Sequence, residues 1–76
     1  MDAEKDWTDR VKRFLKAELK RADVTYEELA QRMGEMGLTE SKVSIASKLS
    51  RGGFGATFFV AALKAIKVEQ VRLQDF

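Results

Sequence analysis

The chain has no cysteine, no histidine and no proline. Without cysteine there is no disulfide framework and no thiolate metal site. Without histidine it lacks the commonest general base, the commonest metal ligand and the side chain that titrates near neutrality. A Ser-His-Asp or Cys-His unit cannot be assembled, and no paired acids fall in a pocket motif. An enzyme is therefore not expected, nor are a metal, a cofactor or a small-molecule ligand. No apolar run approaches the ~20 residues that a membrane span needs. The opening "MDAEKDW" mixes charge signs and does not read as a secretory signal. The expectation is a soluble, cytoplasmic protein. The formal charge of +2 is small, although a nearly balanced total can still hide a basic patch.

What remains is a helical vocabulary. Seventy-six residues make one domain at most, and a chain this short buries only a modest share of its surface. Trp7, Val11, Phe14, Leu15, Leu19 and Ala22 recur at three- and four-residue steps, which predicts a first helix over about 7–22. Asp6 or Thr8 is expected to cap it, with residues 1–5 flexible ahead of it. "TYEE" opens a second helix. The Thr25 hydroxyl is expected to accept from the Glu28 amide while Glu28 reaches back, as in a capping box. Tyr26, Leu29, Ala30, Met33 and Met36 form its apolar face, and Gly37 suits a left-handed stop.

A third helix is expected from about Thr39, its predicted cap. Val43, Ala46, Leu49 and Ser50 should point inward, while Ile45 fits that stripe poorly. A fourth helix over about 57–66 is apolar nearly all round, as expected of a buried or dimer-forming helix. The tail "KVEQVRLQDF" could be a short helix or a strand.

The stretch "SRGGFG" raises the question of phosphate binding. Gly52-x-x-Gly55 matches the backbone clamp of KH domains, but the sequence offers no three-stranded sheet. A P-loop needs a preceding strand and a Gly-Lys-Ser/Thr ending, and neither is present. The stronger reading is a helix stop at Gly52, a corner at Gly53 and Gly55, and Phe54 as a core plug.

"YEELAQRM", "GL" and "TESKVSIASKLSRG" together resemble the helix-turn-helix of phage-repressor-like, Xre-type DNA-binding domains. Leu29-Ala30, Gly37, Thr39, Val43 and Arg51-Gly52 match that motif in kind. More closely, "LKAELKRADVTYEELAQRM" and "SIASKLSRGGF" resemble a family of short bacterial domains of unknown function, over about 7–68. The resemblance implies an all-α, compact four- or five-helix lambda-repressor-like bundle. The whole chain, 1–76, would be one domain, with its helix-turn-helix at about 25–52. Two departures stand out. "GEM" adds three residues to helix two, and helix three looks about a turn longer than usual.

The resemblance further implies double-stranded DNA binding, as in a small transcriptional regulator. Residues early in a recognition helix face base edges. Thr39, Glu40, Ser41, Lys42, Ser44, Ser47, Lys48 and Arg51 are the candidate DNA-binding residues. Lys48 and Arg51 are the candidate phosphate partners, with Lys12 or Lys16 in support. A homodimer is expected, through helix four, Trp7 or the tail 68–76. The alternative is a helical protein-interaction module that keeps the fold and binds no DNA. Its basis is the near-neutral charge, the acidic helix two and the absence of Gln, Asn or Arg early in helix three.

Overall fold

A computed structural model describes residues 2–76. It contains four α-helices: α1 (Ala3–Ala22), α2 (Tyr26–Glu35), α3 (Lys42–Arg51) and α4 (Ala56–Ala65). A single 3-10 turn, Leu73–Asp75, follows. There is no strand among the described residues. The all-α class is as the helical periodicity implies.

Each helix puts a small apolar set into one core. Leu15 and Leu19 come from α1, Leu29 and Met33 from α2, Ile45 and Leu49 from α3, and Phe58, Ala62 and Leu63 from α4. The pairs on the first three helices are four residues apart, so both members lie on one face. Burying each large side chain contributes about 1.5–3 kcal/mol. No charged or polar residue is buried among the described residues. The second helix packs against α3 and α4, and α1 packs against the same two.

Three helices stop in the same way. After α1, α2 and α4 a residue takes positive φ: Asp23 at 58°, Gly37 at 86° and Lys67 at 65°. The next amide then donates five residues back: Val24 to Leu19, Leu38 to Met33, and Val68 to Leu63. This ties off the last carbonyls and lays an apolar residue back on the core.

Several details differ from the periodicity reading. The first helix starts at Ala3, not near Trp7, because the Asp2 carboxylate accepts from the Glu4 and Lys5 amides at 3.1 and 3.2 Å. Residues 3–5 are thus helical rather than flexible, and Met1 lies outside the described residues. Thr25 caps α2 as expected, but Glu28 turns forward to Arg32 instead of reaching back. Arg32 also donates to the Ala65 carbonyl at 2.9 Å, tying α2 to the end of α4.

The third helix departs most. Its cap is Ser41, not Thr39. It is ten residues long, as is α2, which takes in Gly34 and Glu35 of "GEM" as expected, and the connection between the two helices covers 36–41. Val43 points outward at 78% exposed, whereas Ile45 is fully buried. Starting the helix two residues later makes Ile45 and Leu49 the inward pair and rotates Val43 away from the core. In the tail, Val71 and Leu73 are exposed, and the chain closes with Phe76 against Phe14 and Phe59 at ring-centroid distances of 4.4 and 6.3 Å.

The glycine corner behaves as a corner. Gly52 ends α3 at φ 74°, ψ −167°. This is an extended positive-φ conformation that glycine alone adopts readily, and it differs from the left-handed residue that follows α2 at Gly37. A side chain at Gly52 would also collide with the Thr8 methyl of α1. Phe54 packs edge-on to Phe58 at 5.2 Å, and Gly55 leads into α4.

Candidate nucleic-acid interface

The start of α3 is held by three hydroxyl and carboxylate groups. Ser41 Oγ accepts from the Ser44 amide at 3.0 Å, and Ser44 Oγ accepts from the Ser41 amide at 2.8 Å. This reciprocal pair satisfies two amides that a helix start would otherwise leave open. The Ser44 hydroxyl donates to Glu40 Oε1 at 2.7 Å. Lys48, one turn further, pairs with Glu40 Oε2. The same ammonium lies 4.8 Å from the centroid of the Phe58 ring. Burial acts to raise the Glu40 carboxyl. The hydrogen bonds from Lys48 and Ser44, and the Lys48 charge, outweigh it and hold that carboxyl below its ordinary value.

Four of the sequence-predicted residues, Glu40, Ser41, Ser44 and Lys48, therefore form one network at the root of α3. Lys42, Ser47 and Arg51 are exposed, and Thr39 is exposed in the connection before the helix. Arg51 Nε makes only a long 3.4 Å contact, to the Ser47 carbonyl. Neither Lys42 nor Arg51 has a carboxylate partner among the described residues. The outward face of α3 thus carries Val43, Ser47, Ser50 and Arg51, with no acid on the helix itself, while Lys42 is exposed at the helix start, on the opposite side from Arg51.

Sequence reasoning misplaced two residues. Val43 belongs to the outward face, and the signal was the Ser41-x-x-Ser44 capping pattern that sets the true helix start. Lys12 donates to the Ser50 carbonyl at 2.9 Å and lies 3.7 Å from Asp9. It ties α1 to the C-terminal end of α3, where a cation suits the helix dipole. Lys16 remains exposed on α1.

A second surface feature is apolar. Trp7 and Val11 of α1, Phe54 of the corner, Phe59 of α4, and Leu73 and Phe76 of the tail line an open groove of about 420 Å³. Trp7 is 56% and Leu73 85% exposed at its rim. Arg10 lies over the Trp7 ring at 4.6 Å from its centroid. Among the described residues no group of three potential acidic ligands could hold a metal ion. Among the described residues no helix is long and apolar enough to cross a membrane.

No curated protein and no solved structure matches the chain. One family does, over residues 7–71, which take in all of α2, α3 and α4 and most of α1. The chain belongs to that family, described as a domain of unknown function (DUF6471).

Proposed function

We propose that this domain binds double-stranded DNA in the cytoplasm, with α3 as the helix that enters the major groove, in the manner of Xre-type repressor-like regulators. The observation that carries the reading is the outward face of α3. It is a free helical surface with the unpaired cation Arg51 and hydroxyls at Ser47 and Ser50, and a second unpaired cation, Lys42, is exposed at the helix start. The acid just before the helix, Glu40, is neutralised by Lys48, whereas Asp2, Glu4 and Asp9 at the start of α1 share an open groove with Ser50 and Arg51 and are offset there by Lys5 and Lys12. A cation-bearing helix of this kind can bond phosphates and base edges. The connection 36–41 is longer than the usual 3–4-residue turn of such motifs, so the reading rests on this face and not on the turn.

One α3 per chain reads one half-site. Successive half-sites lie about 34 Å apart, while the domain measures 39 × 25 × 20 Å. The reading therefore assigns a second copy of the chain to the apolar groove, burying Trp7 and Leu73.

Fluorescence anisotropy with random duplex DNA across a salt series tests the proposal. Neutralising Z phosphates gives a slope of roughly −0.9Z in log K against log salt. Lys42→Ala and Arg51→Ala should each lower that slope by about one. Lys48→Ala should act on stability instead. A folded protein with no binding at about 50 mM salt overturns the reading.

A second reading, an interaction module without DNA binding, is favoured by the same apolar groove. It predicts no salt-dependent duplex binding and an unchanged fold in the Lys42 and Arg51 variants.

A further inference from the structure

The fold gives Val43 nothing to do. It is 78% exposed in the first turn of α3, and it does not line the apolar groove. A β-branched residue is a weaker helix former than alanine or lysine, because its χ1 freedom is lost against the preceding turn. Stability alone would place a polar or unbranched residue there. Val43 and Ser47 are four residues apart, so they form one outward row on α3. Arg51, one turn beyond Ser47, continues that row, and Lys42 is exposed beside Val43 at the helix start.

From this position we infer that Val43 is a base-reading residue, and that its target is the C5-methyl group of a thymine in the major groove. The inference rests on the DNA-binding reading above. Residues at the N-terminal end of a recognition helix are those that reach base edges. The thymine methyl is the one apolar group that base pairs of ordinary DNA present in that groove, and aliphatic side chains pack on it. The network behind Val43 supports the assignment. Glu40, Ser41, Ser44 and Lys48 are engaged with one another, so their side chains are committed to holding the helix start in place. The exposed and uncommitted groups in the first two turns are Lys42, Val43 and Ser47. Lys42 and Ser47 are permissive partners, one able to bond guanine or phosphate and the other almost any edge. Val43 alone can distinguish a methyl from its absence.

The test uses the intact chain and a duplex selected from a random-sequence pool. Each thymine of that duplex is replaced in turn by deoxyuridine, which removes the C5-methyl and leaves the hydrogen-bonding edges. One replacement should weaken binding about four-fold, the worth of one buried methyl-sized group. Val43→Ala should bind the thymine duplex about four-fold more weakly. It should bind the thymine and deoxyuridine versions equally, with the slope against salt unchanged. If no replacement matters, or if Val43→Ala still discriminates, the thymine contact is overturned while DNA binding stands. If the native chain binds no duplex at all, the DNA-binding reading fails and this inference fails with it.

Discussion

The Lys48 ammonium pairs with the carboxylate of Glu40 and rests against the face of the Phe58 ring. One side chain thereby connects the α2–α3 connection, the second turn of α3 and the core face of α4. The pair sits half-buried, so its charges are less screened than those of a fully exposed ion pair.

That pair sets a pH dependence. The folded carboxyl of Glu40 titrates below its ordinary value, so the pair stabilises fully above the unfolded pKa of about 4.3 and is lost as pH falls through the folded one. Glu40→Gln should cost about 1–2 kcal/mol at neutral pH. The gap to the native chain should close in acid, once the Glu40 carboxyl is protonated in the folded as well as the unfolded state. Urea unfolding at both pH values measures this. An equal gap at both would assign the cost to packing and not to charge.

Two glycines should respond in opposite directions. Gly34 lies inside α2 with open space around it, so Gly34→Ala should raise stability by about 0.5–1 kcal/mol through helix propensity. Gly52 has positive φ and abuts Thr8, whereas Gly53 has positive φ and open space. Gly53→Ala should cost about 1 kcal/mol from backbone strain alone. Gly52→Ala should cost clearly more. Equal losses at the two positions in thermal melts would show that the Thr8 contact is unimportant.

The register of α3 can be tested by a pair of truncations. Ile45→Ala should cost about 2–4 kcal/mol, since Ile45 is fully buried. Val43→Ala should change stability by no more than about 0.5 kcal/mol. Denaturant titration with a common slope would read both. A large loss at Val43 and a small one at Ile45 would mean the helix is rotated from the orientation described.

Leu73 bears on the proposed dimer. It is the most exposed of the large apolar side chains at the rim of the groove. Leu73→Glu should leave the circular dichroism spectrum unchanged and shift the chain from dimer to monomer in sedimentation. A native chain that is already monomeric at high micromolar concentration would remove the second copy from the proposal.

Much of the architecture was legible in local sequence. The Thr25 cap, the Gly37 stop and the Leu15-Leu19 and Leu29-Met33 pairs act within one or two helical turns, and such short-range rules survive tertiary packing. Gly52 and Phe54 were also legible as a corner and its plug. The start of α3 was not. "LTES" offers two hydroxyl caps two residues apart, and local preference ranks Thr39 and Ser41 almost equally. That shift of two residues rotates the helix by more than half a turn, exchanging Val43 for Ile45 in the core.

The candidate site was the least legible part, because its chemistry depends on which charges meet. Sequence spacing placed Glu40 and Lys48 in the same region but could not pair them across a loop. It also placed Lys12 on a basic face of α1, while the fold brings it to the end of α3.

By itself the sequence determined the helical class and the places where most helices stop, because capping and periodicity are local. It also excluded histidine- and cysteine-based chemistry, because the atoms are absent. Only the tertiary structure decided which face of α3 is free, which cations are spent on partners within the fold, and that Trp7 and the tail share one groove. Those outcomes rest on pairings that no single helical stretch encodes, from Glu40 with Lys48 across the helix start to Lys12 with the distant Ser50 carbonyl.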